Sequence, residues 1–544
     1  MSSVTTVDVE QPQALPERPA PKRERKLTGL VRRSLGLRKF LATPIDPVEA
    51  REALAYRLAH RDDVFLDYVR RLVFEVPRSP YRPLLAGAGW SYGDVETSVR
   101  RRGIEGTLER LRDDGVYVTL EEWKGRDALV RNGVELHLTP EDFDNPLIGR
   151  DVETSSSGSS GGASRTPAGW EGITESTKLS RPVLDAYGMD GAATALWMPA
   201  PPGGSGLLAA IGLTKVGMTP ERWFTQTRPR GPFLDRFTTV FLLVASRLLG
   251  HPLPRPRYTE LADAEVVARW LADGEPPRFL VGFASSAVRV GQVAQELGLD
   301  LSGRAVFVGG EPVTPDRQRF LRSVGLQVIA MYGASDAGLI GSWCPHADGV
   351  DDYHVRLDQV AVIAGPDAPG EGPVPLLVSS LMARGGKVLL NVDIGDQAVL
   401  ERRGCDCEFG AQGFDVLVSH VRSRAKQTSE GMTVPSRALW EHAGEVLAAA
   451  GAGRDDYQIW EVQGGDGISH VVLAVSPHLE IDETALVNRI LDDFGARDPG
   501  SRTAADIWRQ AGTLRIVRQR PRLSGGGKLL PVLAFDAEPE PESR

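Results

Sequence analysis

Residues 279–338 read FLVGFASSAVRVGQVAQELGLDLSGRAVFVGGEPVTPDRQRFLRSVGLQVIAMYGASDAG. Three short apolar runs, FLVGFA (279–284), AVFVGG (305–310) and QVIAMYG (327–333), are separated by VRVGQVAQELG and TPDRQRFLRSVG, whose apolar residues recur at helical spacing. The order is strand, helix, strand, helix, strand. Such alternation implies parallel strands joined by crossover helices that cover the faces of the sheet. In this architecture ligands bind outside the carboxyl ends of the strands. The loops there read SSA, GEPVT and GASDAG, and the search for chemistry starts with them.

Towards the N-terminus, VEAREALAYRLAHRDDVFLDYVRRLVFE repeats at helical spacing from Pro47 and leads into the turn-rich SPYRPLLAGAGWS. Residues 1–40 hold few large apolar side chains, prolines at 12, 16, 19 and 21, and a Lys/Arg cluster from Arg18 to Lys39. That composition predicts a solvated basic tail with a short helix near Leu30 to Leu41. Beyond residue 350 the runs YHVRLDQVAVI, VPLLVSS, KVLLNVD and QAVLERR predict closely spaced strands. The last unit alternates the helices SRALWEHAGEVLAAAG and ETALVNRILDDFG with the strands YQIWEV, SHVVLAV and TLRIVRQR. The expected fold is α/β: a large N-terminal domain (41–420) of mainly parallel sheets and helices, a small mobile α+β C-terminal domain (421–535), and an acidic tail (536–544).

The chain of 544 residues, 41% hydrophobic and 25% charged, has ordinary globular usage, which excludes wholesale disorder and fibrous repeats. A net charge of -9 argues against non-specific nucleic-acid binding, which needs surplus cations to displace phosphate counterions. Three cysteines cannot build a disulfide framework, and the odd count suits a reducing compartment, so the cytoplasm is expected. The N-terminus lacks a signal-peptide pattern. The longest apolar run, TTVFLLVASRLLG (238–250), is shorter than the roughly 20 residues of a bilayer span and predicts a buried helix.

Four motifs carry candidate chemistry. ETSSSGSSGGASRT (153–166) combines hydroxyls with glycines and ends near Arg165, so that backbone N–H groups, Ser hydroxyls and a guanidinium can converge on an anion. Such tracts also serve as linkers. No GxxxxGK followed by Ser or Thr is present in it, which removes the P-loop reading. MYGASDAG (331–338) offers a Tyr for stacking on a base, Ser335 for phosphate and Asp336 for Mg2+. In LNVDIGDQAVL, Asp396 follows a glycine turn and can accept from two ribose hydroxyls. RPRLSGGGKLL presents Lys528 on a glycine loop.

In their order and approximate spacing these motifs resemble the adenylate-forming ligase superfamily, and within it the phenylacetate-CoA ligase branch. That branch carries an SSGTTG loop, a GAEPW stretch, a YGxxE turn, an aspartate turn, an arginine-led hinge and a glycine-flanked lysine. The matching positions are Ser156, Ser157, Gly158, Ser159, Ser160 and Gly161; Gly310, Glu311 and Pro312; Tyr332, Gly333 and Asp336; Gly395 and Asp396; Arg422; and Gly526, Gly527 and Lys528. EGMTVPSRALWE also resembles the branch's RGVNVFPSQIE, one residue shorter. The likeness spans residues 45 to 535.

The resemblance implies two half-reactions at one site. A carboxylate attacks the α-phosphorus of ATP to give an acyl-adenylate and pyrophosphate, and a thiol of coenzyme A or of a carrier-protein pantetheine then displaces AMP. It further implies Lys528 and Mg2+ on Asp336 as charge-neutralising groups, a small domain that swings about the hinge at Arg422, and a carboxylic acid, aromatic in this reading, as substrate. The acyl wall would be Phe283, Ala284, Ser285, Gly309 and Gly310, with Trp170 and Trp197 either lining it or packing in the core. An acyl carrier protein and a second copy of the chain are the partners compatible with it. Departures are Asp336 where Glu is usual, Ser159-Ser160 in the loop, and Arg424 or Ala425 where the hinge has an aspartate. These leave two alternatives: transfer to an amine or other nucleophile, and a homologue that binds nucleotide without turnover.

The cysteines add a metal expectation. Cys344 lies in WCPHADGVDDYHV, and Cys405 and Cys407 form a C-x-C. Three thiolates and one imidazole make a closed structural zinc site, whereas three buried reduced cysteines would be inert. Members of the branch show the same order of Cys, His and C-x-C. On that likeness His354 is the fourth zinc ligand, with His346 as its rival.

Overall fold

A computed structural model describes residues 36–149, 151–155, 165–200, 205–228, 243–244, 246–248, 250–346, 352–366, 368, 370, 372–424, 426–463, 467–497, 499–523 and 529–535. The core of the fold is one twelve-stranded sheet. Its strands are β1 (Ala193–Trp197), β2 (Arg222–Thr225), β3 (Pro256–Tyr258), β4 (Arg278–Gly282), β5 (Arg304–Val308), β6 (Leu326–Ala334), β7 (Gly338–Ser342), β8 (Tyr353–Val355), β9 (Val360–Ala364), β10 (Val374–Ser380), β11 (Val392–Arg402) and β12 (Val416–Ser423). The order across the sheet is β9-β10-β11-β12-β8-β7-β6-β5-β4-β1-β2-β3.

Strand β6 is a seam. Every pairing from it through β5, β4, β1 and β2 to β3 is parallel, as the crossover helices Ala284–Leu297 and Pro315–Ser323 require. From β6 to β9 every pairing is antiparallel. The parallel half is the one expected from residues 279–338; the antiparallel half comes from the closely spaced strands beyond 350. In register, Gly282 pairs with Val308 and Val308 with Ala330, so the carboxyl ends of β4, β5 and β6 lie side by side.

Two stretches differ from the sequence reading. The expected short helix is present over residues 36–42, but it buries Leu37, Phe40 and Leu41, a stripe at i, i+3 and i+4, so the chain joins the core inside the segment read as a solvated tail. Phe40 packs on Trp170 with ring centroids 5.2 Å apart, and the Lys215 ammonium donates to Phe40 O at 2.8 Å. In the run 238–250, the described residues 243–244 and 246–248 are helical but only half covered. Ser246 is buried, whereas Val244 is 52% and Leu248 82% exposed, so this is not a buried helix over its described part. Residues 238–242, 245 and 249 of that run, the acidic tail and residues 1–35 lie outside the described residues. No described helix is long and apolar enough to cross a membrane.

The C-terminal part holds a four-stranded sheet of β13 (Tyr457–Gln463), β14 (Ser469–Val475), β15 (Leu514–Val517) and β16 (Val532–Phe535), in the order β15-β14-β13-β16. Helices Ser436–Leu447, Glu483–Gly495 and Pro499–Ala511 accompany it, and the hairpin Lys426–Ser429 with Met432–Pro435 precedes it.

Candidate functional site

The glycine-serine loop residues Ser156, Ser157, Gly158, Ser159, Ser160 and Gly161 lie outside the described residues, as do Gly526, Gly527 and Lys528; of Arg165 only the backbone is described. The flanks of the first loop are described. Val152–Ser155 and Arg165–Ala168 form a hairpin closed by the pair Ser155 and Arg165. One residue on, Thr166 Oγ1 donates to Asp336 Oδ1 at 2.7 Å. The mouth of the serine-glycine loop therefore meets the β6–β7 turn that carries Ser335 and Asp336, 170 residues away in sequence.

Lys124 Nζ approaches Asp336 Oδ2 at 3.2 Å, with side-chain exposures of 11% and 10%. Burial alone would raise the Asp336 carboxyl, but Lys124, then Thr166 and Lys387, outweigh it and hold the group below the usual carboxylate range. Asp336 is thus an ionised, acceptor-only group at neutral pH. Within β6 itself, Tyr332 donates its hydroxyl proton to Asp396 Oδ2 at 2.9 Å, which brings together the residues read as base-stacking and ribose-binding.

Asp396 follows Gly395, whose φ of +88° suits glycine and whose N–H is taken by Asp393 Oδ1 at 2.8 Å. Arg424, where the likeness expects an acid, donates to the same Asp393 oxygen at 2.6 Å, and its backbone N–H bonds Gly395 O at 2.7 Å. The substituted hinge residue is therefore anchored to the aspartate turn. Arg422 pairs in register with Gln397 and faces Glu461. Burial pushes the Glu461 carboxyl up to about 7 against the opposing charges of Arg422 and Arg317. A carboxyl whose folded pKa lies above its unfolded value lends stability that is complete below the unfolded value and lost as pH rises towards 7. Relative to the parent protein, Glu461→Gln should leave thermal unfolding unchanged near pH 4 and raise the midpoint by roughly 1–4 °C at pH 8. A gap between the two that is constant with pH would rule this out.

The acyl-wall residues form a second group. Phe283 follows β4 as the cap of the helix that Ala284 and Ser285 open. Ser285 N and Oγ donate to the Glu311 carboxylate at 2.8 and 3.0 Å. Gly310, at φ +78°, lies against the Phe283 ring, while Pro312 O accepts from Arg317 at 2.9 Å. Gly431, at φ +68°, lies so close over the same ring that no Cβ fits, and its N–H also bonds Glu311. Trp197 is fully buried and Trp170 packs on Phe40, so both serve the core. Lys124, Thr166, Arg289 and Glu430 escaped the sequence reading; no local pattern marks these pairings, because the partners are more than 120 residues away.

The base of the lysine loop is the bridge between Leu523 and Leu529. Gln458, near the start of β13, holds it by donating to Arg522 O at 3.0 Å and Leu530 O at 2.7 Å. The opposite end of β13 leads to the turn at 467–469, where Arg317 of the large domain donates to Gly467 O at 2.6 Å and to Ser469 Oγ at 3.2 Å. The end of the small sheet that carries the lysine loop is thus the one remote from this contact.

Away from these groups, Cys344, His354, Cys405 and Cys407 bring four ligand atoms within 4.8 Å of one another. Cys344 Sγ to Cys405 Sγ is 3.7 Å and Cys407 Sγ to His354 Nε2 is 3.4 Å. For Zn–S bonds of about 2.3 Å and Zn–N of about 2.0 Å, a tetrahedron has edges of roughly 3.5–3.8 Å. His354 Nδ1 lies 2.7 Å from Phe414 O, which fixes the proton on Nδ1 and turns Nε2 inward. Gly410 N donates to Cys407 Sγ at 3.3 Å. The Cys407 thiol is held well below the ordinary thiol range chiefly by the hydrogen bond from Cys344, while Cys344 is pushed up by the same pairing. The donor set fits zinc, and His346, exposed, is outside it.

No family model and no curated protein matches this chain. Solved structures do. A 2-hydroxyisobutyryl-CoA ligase, in complex with 2-HIB-AMP and CoA in its thioesterification state, is 14% identical over 91% of this chain and 91% of its own, with a TM-score of 0.54. The same ligase in an open conformation is 13% identical over 97% of both chains, with a TM-score of 0.44. An amide bond synthetase from Marinactinospora thermotolerans is 12% identical over 70% of this chain and 96% of its own, with a TM-score of 0.33. By the first of these likenesses, the chain has the fold of the adenylate-forming ligases.

Proposed function

We propose that this protein is an ATP-dependent ligase that activates a carboxylic acid as its acyl-adenylate and passes the acyl group to the thiol of coenzyme A or of a carrier-protein pantetheine, with an aryl acid as substrate. The observation that carries the reading is the contact of Thr166 with Asp336, which joins the anion loop to the strand-end turn beside Tyr332 and Asp396.

In the first half-reaction a carboxylate oxygen attacks the α-phosphorus and the bond to the pyrophosphate oxygen breaks. Asp396 orients the ribose, Tyr332 covers the base, and the loop 156–161 with Arg165 takes the phosphates. Mg2+ would be held by Asp336, which the neighbouring cations keep ionised; when bound it neutralises phosphoryl charge. In the second, the thiol sulfur attacks the acyl carbon, its proton leaves to solvent, and AMP departs with the bonding electrons. Phe283, Ser285 and the loop 429–431 exclude water from the acyl group. The small domain rotates between the two, since the Leu523–Leu529 bridge from which the lysine loop springs lies on the end of its sheet away from Arg317 in the present arrangement.

Pyrophosphate release measured across a panel of aryl and alkyl acids, with and without coenzyme A, tests the reading. Release that depends on one class of aryl acid is expected; release with none of the acids in the panel would overturn it. Asp336→Ala should lower acid-dependent release by roughly two orders of magnitude. Turnover at the parent rate would remove Asp336 from the site.

A further inference from the structure

The small domain is tied to the acyl pocket by one short loop. Residues 429–431 turn between the two strands of the hairpin that precedes the small sheet. Within that domain the loop is held firmly: Ser429 Oγ donates to Ser469 O at 2.6 Å, and Trp508 Nε1 donates to Ser429 O at 3.1 Å. Across the boundary, Glu430 Oε1 accepts from Arg289 Nη2 at 2.7 Å, with the Glu430 side chain fully buried and that of Arg289 20% exposed. Gly431 N donates to Glu311, the carboxylate that also takes both donors of Ser285.

Glu430 is an unusual residue for its place. Its φ of +54° lies in the left-handed region that a residue with a Cβ enters at a cost, and its second carboxylate oxygen is buried with no hydrogen-bond partner. Burial and the neighbouring Glu311 both raise its carboxyl, and Arg289 is the charge that opposes them. A buried charge in a strained turn adds little net stability, so its use lies in specifying one geometry. Arg289 stands one helical turn beyond Ser285 on the helix that opens at the pocket wall, so this geometry couples small-domain position to that wall.

We propose that Arg289 and Glu430 are positioning residues that lock the small domain in this orientation, holding loop 429–431 over Phe283 and Glu311 for the transfer half-reaction. The role as a lock for transfer rests on the proposed function; the lock itself rests on the contacts alone. Because the loop is fixed to the small domain, rotation withdraws Glu430 and Gly431 together, and Arg289 and Glu311 each lose a partner. The pair is therefore made in this arrangement and broken outside it.

Hydrogen–deuterium exchange on the full chain without ligands tests this. In Glu430→Gln and in Arg289→Gln, amides of peptide 426–435 should exchange at least tenfold faster than in the parent, with peptide 278–282 in β4 unchanged. The double variant Arg289→Glu with Glu430→Arg should return peptide 426–435 to within threefold of the parent. A change under threefold in the single variants, an equal rise in both peptides, or no recovery in the double variant would each overturn the lock. Arg289→Lys keeps the charge and should stay within threefold; if the glutamine variants do not fold, a tenfold rise in this one overturns it. The readout needs no acid, so a protein that releases no pyrophosphate would sink the proposed function and leave the lock standing.

Discussion

Lys528→Ala should lower acid-dependent pyrophosphate release by roughly two to three orders of magnitude and leave ATP affinity within about threefold. The first half-reaction brings two anions together, and charge builds on the phosphoryl oxygens only as the transition state forms, so a cation placed there stabilises the transition state more than bound ATP. The glycines on the near side of Lys528 give the loop reach, and the Leu523–Leu529 bridge with the Gln458 contacts fixes its base. If the lysine acts in the first half-reaction, as the proposed function has it, transfer from a preformed acyl-adenylate should stay close to the parent rate. A loss under threefold in pyrophosphate release would remove the lysine from the chemistry.

The second large effect concerns the cluster of Cys344, His354, Cys405 and Cys407. The purified protein should carry one zinc per chain, and Cys407→Ser should lose it. The four ligands link the loop after β7, strand β8 and the segment between β11 and β12, three pieces of the antiparallel half. Structural zinc binding is folding free energy, and in a domain that also has its own core its removal should lower the unfolding midpoint by roughly 5–15 °C. Chelation should reproduce the shift, and added zinc should reverse it in the parent but not in the variant. Metal-free protein with free thiols and an unshifted midpoint would exclude the site.

The parallel half was legible because its signals are local. Runs of Val, Ile, Leu and Phe in residues 279–338 alternate with helical periods, and the structure has β4, β5 and β6 within two residues of those runs. The Cys/His quartet was legible for a different reason, since cysteines are few and these fall close together. What escaped is long-range pairing. Lys124 ends a short helix in the string EEWK, where a lysine normally points to water, and only the fold brings Asp336 to it. Arg289 reads as the polar face of an amphipathic helix until Glu430 is placed against it. The helix over 36–42 was assigned to the tail because the surrounding Arg and Lys outweigh Leu37, Phe40 and Leu41 in composition, although three spaced apolar residues suffice to bury one face.

The double hold of Arg424 on Asp393 and Gly395 sets where any swing of the C-terminal unit begins. With that residue clamped to the sheet, the backbone upstream is a fixed jamb, and a swing of the kind the proposed function requires would start beyond Arg424. An arc drawn from such a pivot keeps the unit at constant radius from the aspartate turn while changing the face it presents. Lengthening the segment just after the clamp would then alter that radius, and with it the reach of both edges at once.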